Sequence, residues 1–225
     1  VPMKDGAMDK AALPGLLEGA ACLAVQTPNF LGLIEDMAGV ADLAKKAGAL
    51  LVAAADPVSL GLLTPPGEYG ADFAVGEGQS LGLPLAYGGP YLGLFSCKKE
   101  HVRQMPGRIT GLTKDKDGKR GFVLTLQARE QHIRRDKAAS NICSNEALCA
   151  LAATVYSALY GPEGLKELAE ANAGAAAYAA ERLSSIKGCS LKFNGPFFNE
   201  FVLSVPGKAA ALREKCLAKG VDIGL

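Results

Sequence analysis

Tryptophan is absent from this 225-residue chain, and all aromatic residues together make up only 6%. That scarcity argues against a stacking platform for single-stranded nucleic acid. Charge of one sign is also lacking. The 24 basic and 23 acidic residues leave a net charge of +1, too little to draw in nucleic acid or an anionic membrane. No apolar run reaches the roughly 20 residues needed to span a bilayer. The opening Val1-Pro2-Met3-Lys4-Asp5-Gly6 resembles neither a signal peptide nor a basic transit peptide. Only two histidines are present, and none of the six cysteines (Cys22, Cys97, Cys143, Cys149, Cys189, Cys216) forms a CxxC pair. Local spacing therefore offers no metal site, and the cysteines read as reduced thiols of a cytoplasmic protein, most of them core filler. What is present is apolar: 49% hydrophobic against 21% charged residues. A chain this long buries roughly 70% of its unfolded surface and needs no metal or disulfide staple.

The order of elements points to an α/β fold. Residues 21–26 form a short apolar run that ends in Thr27-Pro28-Asn29, a buried strand and then a turn. Apolar residues from Ile34 to Ala44 fall at helical spacing, with Glu35 and Asp36 at the start and Lys45 and Lys46 at the end. Those charges suit the helix dipole, and Gly48 suits the stop. Residues 49–55 and 71–75 supply two more apolar strands. Strands apolar throughout predict a parallel sheet covered on both faces. The glycines and prolines of residues 82–93 forbid a helix there, and Tyr91–Cys97 predicts another strand. Runs at 109–113 and 121–126 flank Asp117-Gly118, a hairpin signal. The last third is helical. Ser144-Asn145-Glu146 predicts a cap for a helix to Tyr160, and Pro162 opens a long alanine-rich helix to about Ile186. Strands near 189–193 and 200–205, a helix from Lys208 to Lys219 and the start of a strand at Val221 follow. A domain boundary is predicted near 140–160.

Several clusters could carry chemistry. Gly78-Gln79-Ser80-Leu81-Gly82 fits the G-x-S-x-G nucleophile elbow after a strand. Ser80 would be the nucleophile, His132 the base, and Asp115 or Asp117 the orienting carboxylate. The alternative is a glycine-rich turn, which the sequence favours, because an elbow must open a helix and Leu81–Pro90 cannot form one. Tyr87-Gly88-Gly89-Pro90-Tyr91 could bring backbone N–H groups close to a phosphate, or be a plain tight turn. Asp115-Lys116-Asp117-Gly118 resembles the start of a calcium loop without the later ligands, so a hairpin tip is the better reading. Lys98 and Lys99, next to Glu100, read as exposed rather than as a buried Schiff-base lysine. The run Arg129–Lys137 carries interleaved Glu130 and Asp136, and reads as a solvated or interface helix. His132 reads as a hydrogen-bonded structural histidine, and His101 as exposed.

Five stretches carry a family resemblance: Val25–Gly32, Val75–Gly82, Tyr87–Gly93, Met105–Ile109 and, most specifically, Gly121–Cys143. Together they closely resemble subunit 1, the α chain, of the two-chain glycine decarboxylases, the P-protein family of the glycine cleavage system. The resemblance covers nearly the whole chain and corresponds to the C-terminal half of a subunit about twice as long. It implies a pyridoxal-phosphate (PLP)-dependent transferase fold of type I. Residues 1–143 would be the C-terminal part of the large domain with its mainly parallel sheet, and 144–225 a linking helix and partial α+β small domain. The implied reaction decarboxylates glycine and passes its aminomethyl group to the lipoyl arm of the H-protein, with PLP as the electron sink.

The resemblance also assigns roles. PLP-bearing relatives place a lysine after the third strand, before the Gly-Gly-Pro loop, and the matching position here is Gln79. An amide cannot attach the cofactor covalently. Asp56 matches the carboxylate that pairs with the pyridine nitrogen. Asp56, Gln79 and Ser80 are thus expected to form a degenerate site with no catalytic residue. Gly88 and Gly89 match a loop that crosses the dimer interface, and are expected to contact in trans the phosphate of PLP held by the partner β subunit. The family implies a cytoplasmic heterotetramer, an isolated chain that is inactive, and partners in the β subunit and lipoylated H-protein. Self-association is expected where large-domain surface is left uncovered. An independent serine hydrolase and a purely structural pairing module are the alternatives.

Overall fold

A computed structural model describes residues 1–138 and 146–224. The chain opens with a small antiparallel pair, β1 (Met3–Lys4) and β2 (Ala7–Met8), followed by a short helix α1 (Leu13–Leu16). The central sheet then forms from β3 (Cys22–Thr27), β4 (Leu50–Ala55), β5 (Phe73–Glu77) and β6 (Gly93–Cys97), in that spatial order. The first three strands are parallel, and β6 runs antiparallel to β5. Helix α2 (Val40–Lys46) crosses between β3 and β4. The predicted hairpin is β7 (Ile109–Lys114) and β8 (Arg120–Thr125), followed by a short helix α3 (Gln131–Arg134). The long helix α4 (Ala147–Ser184) leads to the antiparallel pair β9 (Ser190–Leu191) and β10 (Leu203–Ser204), then to α5 (Ala209–Leu217).

The core explains these elements. Leu23, Val25, Leu51 and Ala53 point to one face of the sheet, where they meet Leu13 and Leu17 near α1 and Met37, Val40 and Ala44 at α2. A second, smaller cluster joins Val58 just beyond β4 to Ala169 of α4 and Phe198. Burial along β3 alternates strictly, with Cys22, Ala24 and Gln26 exposed. The prediction of a sheet covered on both faces is therefore corrected. Among the described residues one face is packed and the other is open across β3, where apolar side chains stand in water.

Two expectations also differ from the sequence reading, and one is met. The first predicted helix starts at Val40 rather than Ile34, because the buried Glu35 carboxylate accepts from Met8 N–H (2.9 Å) and Asn29 Nδ2 (2.7 Å). Its own N–H donates to Thr27 Oγ1 (3.1 Å), so this stretch is held open as a buried polar strap. Residues 221–224 form no strand. The predicted break between two helices is present inside α4: Gly161 has φ 63° and ψ −176°, and Pro162 restarts the helix. The predicted cap residues Ser144 and Asn145, the boundary after residue 143, and Cys143 lie outside the described residues. No helix among the described residues is long and apolar enough to cross a membrane.

Candidate functional site

Parallel strands in an open α/β sheet leave a crevice beyond their carboxyl ends. Here the ends of β3, β4 and β5 bound a cavity of about 350 Å³. Asp56, Gln79 and Ser80, expected together from the sequence, all line it. Asp56 is held by the turn it starts. Its Oδ1 accepts from Val58 N–H (2.9 Å), and its carbonyl accepts from Ser59 Oγ (2.7 Å). Gln79 is fastened at both ends of its amino-acid unit: its N–H donates to Glu77 Oε1 (3.1 Å) and its Nε2 donates to Leu83 O (2.6 Å). The side-chain amide of Gln79 is thus a structural clasp.

Other residues complete the cavity, and their charge is one-sided. Asp56, Glu77 and Glu200 bring three carboxylates, while no lysine, arginine or histidine among the described residues lines it. Glu77 at the end of β5 also ties down the following loop: its Oε1 accepts from Leu92 N–H at 2.8 Å, and Gly78 N–H donates to Leu92 O at 2.7 Å. Glu200 and Asn199 arrive from the other end of the chain. They reach the cavity because Gly32 lies against them. A Cβ at Gly32 would sit 2.1 Å from Glu200 O, and the residue has φ +83°. Neither Glu200 nor Asn199 carries a signal in its local sequence. Glu77 had one, as a carboxylate at the end of a parallel strand.

Between Gly78 and Leu92 the chain leaves the body as a loop pinched at its base. At its tip Leu85 is 63% and Tyr87 90% exposed, and Gly88 and Gly89 are exposed beside them. The Gly89 N–H donates within the loop to Ala86 O (2.8 Å). Gly88 has φ +95°, and a side chain there would meet nothing within 4 Å. The free donor of the pair is therefore Gly88 N–H.

The serine-hydrolase alternative is not supported. Ser80 is exposed in a turn that opens no helix, and no histidine among the described residues lines the adjacent cavity. His132 is itself exposed on α3. Asp115 is used by the hairpin tip, where it accepts from Asp117 N–H and Lys119 N–H (both 2.9 Å). Lys98 is not a Schiff-base lysine either, since it pairs with Asp72 at 2.6 Å. Burial pushes the Asp72 carboxyl up, but the Lys98 ammonium and the Leu51 N–H outweigh it, so the group lies below the ordinary aspartate range. His101 was expected to be exposed. Its side chain is 18% exposed and stacks on Phe73, with ring centroids 4.9 Å apart.

The comparisons with known proteins agree with one another. The family model of the glycine cleavage system P-protein matches residues 5–225. A protein of Moorella thermoacetica named probable glycine dehydrogenase (decarboxylating) subunit 1 is 58% identical over all of this chain and 52% of its own length. A protein of the same name from Chlorobaculum parvum is 53% identical over 99% of this chain and 50% of its own. The chain thus spans about half the length of these curated relatives. A crystal structure titled as glycine decarboxylase (P-protein) of the glycine cleavage system, in inhibitor-bound form, superposes with a TM-score of 0.84 at 50% identity, over 90% of this chain and 46% of that one. A cysteine desulfurase from Thermococcus onnurineus shares the fold alone, with a TM-score of 0.61 at 18% identity over 99% of this chain and 54% of that one.

Proposed function

We infer the function of this chain from one premise: it belongs to the glycine cleavage system P-protein family. Its fold is the α/β fold of the type I PLP-dependent transferases, and its relatives carry the name subunit 1. From there the reading is our own. The chain acts in glycine dehydrogenase (decarboxylating), as the subunit that does not hold PLP. The β subunit binds the cofactor, which supplies the electron sink for loss of carbon dioxide from glycine. The aminomethyl group passes to the lipoyl arm of the H-protein, in the cytoplasm. The division into a large-domain part at 1–143 and a small-domain part at 144–225 belongs to the same reading.

One observation carries the assignment of roles. The cavity where this fold would seat its cofactor offers carboxylates and a clasped amide in place of an amine and a phosphate-binding cation. Those residues do not fit PLP, because three carboxylates repel a phosphate dianion and no lysine can attach the aldehyde. Asp56, Gln79 and Ser80 are on this reading a degenerate site. The exposed loop supports a role in trans. Its tip stands clear of the body with the Gly88 N–H unused, available to the phosphate of the partner's cofactor. The same exposed apolar tip and open sheet face support pairing with the β subunit, and self-association when that partner is absent.

The test uses the chain co-purified with its β subunit and loaded with PLP. Borohydride reduction and a peptide map should place the adduct on the partner alone, and decarboxylation of glycine with lipoylated H-protein should need both subunits. A stoichiometric adduct on a lysine of this chain would overturn the reading. Gly89→Val, whose Cβ would press on Ala86 O at 3.0 Å, should reshape the tip and weaken PLP retention by the complex. Unchanged retention would sink the contact in trans and leave a purely structural pairing role.

A further inference from the structure

The two halves of α4 present different surfaces. Beyond the break at Gly161 the exposed positions include Lys166, Glu167, Glu170, Glu181 and Arg182, the charged outer face that a helix turns to water. Before the break no charged residue stands between Glu146 and Glu163. The exposed positions there are apolar instead. Leu148 is 78%, Leu151 59%, Val155 50% and Leu159 81% exposed. At about 100° per residue these four fall within about 80° of the helix circumference. Ala153, which is buried, lies on the opposite side. The result is a continuous apolar stripe left in water, of the kind that marks an interaction site on a folded chain.

The relief of the stripe says what fits it. Leu151, Val155 and Leu159 make one row at four-residue spacing, a ridge. Ala150, Thr154 and Ala158, all exposed, make the row beside it, a shallow groove. The one hydroxyl in that groove is spent, because Thr154 Oγ1 donates to Ala150 O at 2.7 Å. A ridge beside a groove accepts the ridge of another helix. This face has no charge and no free hydrogen-bonding side chain. The entering helix is therefore apolar, since an ion buried there would go unpaired.

Continuity chooses the owner of that helix. Tyr156 borders the stripe, three residues before Leu159, and its ring lies where a side chain at Gly82 would be. Gly82 belongs to the exposed loop at residues 78–92, whose tip carries Leu85 and Tyr87. Stripe and loop thus adjoin. A stable pairing buries about 800 Å² on each partner, more than one four-residue stripe exposes. The loop supplies the remainder, so one occupant spans both.

We propose that Leu148, Leu151, Val155 and Leu159 form a docking face for an apolar helix of the β subunit, which rests on the reading above that the loop at 78–92 reaches that subunit. The contact extends the pairing from the loop along the first half of α4 and stops at the break, where the charged surface begins.

Sedimentation of the full chain, co-purified with its β subunit, over a dilution series tests this. Leu151→Gln with Leu159→Gln keeps the helix propensity at two exposed positions, so the circular dichroism spectrum should not change. Losing two leucines from the interface should raise the Kd of the complex at least about a hundredfold. Glu167→Gln with Glu170→Gln, on the charged half, should leave it unchanged. Hydrogen exchange of the unsubstituted protein is the second readout. Amides of residues 150–160 should exchange at least about tenfold more slowly in the complex than in the chain alone. A chain that never pairs with the β subunit would overturn the underlying reading and the proposal with it. Pairing with an unchanged Kd in the leucine variant would overturn the proposal alone, and so would equal exchange at 150–160. A leucine variant that dissolves only a complex between copies of this chain would name a second copy as the occupant, again against the proposal.

Discussion

Two cavities of similar size differ in almost every chemical respect. The one at the carboxyl ends of the parallel strands, about 350 Å³, lies in the crevice such sheets leave, yet among the described residues carries three carboxylates and no cation. The one under the hairpin, about 290 Å³, has no such pedigree, yet gathers three exposed cations (Arg103, Arg134 and Lys137) around the half-used guanidinium of Arg129. Position in a fold thus fixes where a crevice forms, and side chains alone fix what it can hold. The acidic cavity is also well satisfied internally, since Asp56, Glu77 and Gln79 all spend hydrogen bonds on backbone. The cationic cavity has two donors left over. Those two nitrogens, Arg129 Nε and Nη1, have almost no accessible surface, so they mark a cost of burial and not a contact with the cavity.

The largest expected effect comes from collapsing the acidic cavity. Gly32→Val would drive a side chain into Glu200 O and require a strained φ, and should destabilise the chain by about 3 kcal/mol in urea titrations. If stability holds, the 196–200 segment does not depend on that close approach. Next comes the hairpin cavity. Arg129→Met strands the buried Glu130 and should cost roughly 2–3 kcal/mol, most of it recovered when Glu130→Met is added. No recovery in the double variant would mean that Arg129 stabilises through its hydrogen bond to Gly107 O alone. A smaller change tests the clasp at the base of the exposed loop. Glu77→Gln weakens the bond to Leu92 N–H and should cost about 1 kcal/mol, with faster hydrogen exchange confined to residues 78–92.

The smallest effect is a pH dependence set by Asp72. Its pKa is lowered in the folded state, so its contribution is complete above the ordinary value of 3.8 and is lost as pH falls through the lower folded value. Acid unfolding followed below about pH 4 should show Lys98→Met losing this part of the pH slope. An identical slope in that variant would remove the Lys98–Asp72 pair as its source.

Much of the scaffold was legible in the sequence. Short apolar runs bounded by proline and glycine gave the strands β3 to β6, and Gly161-Pro162 gave the break in α4, because backbone constraints act locally. The grouping of Asp56, Gln79 and Ser80 came from the family resemblance, not from the residues alone, and the structure places all three at one cavity. What stayed hidden depends on distant contacts. Glu200 enters its cavity from far along the chain, and Glu35 leaves a helical pattern because two partners outside that helix take its carboxylate. The open sheet face was hidden too, since strand composition says that a side chain is apolar but not which neighbour covers it. Arg129 was read as part of a solvated or interface helix. Interleaved charges on a local segment do not reveal that a left-handed Leu126 turns one of them inward.

The break at Gly161 has a mechanical meaning. The first half of α4 sets Tyr156 against the loop at Gly82, where a Cβ would lie 2.5 Å from the ring, and the second half seats Ala169 against the turn after β4. Proline at 162 has no N–H to carry the hydrogen-bond ladder across the gap. The helix is therefore a jointed rod rather than a rigid strut. A push on the loop swings the first half about the joint, and the half anchored in the core need not follow.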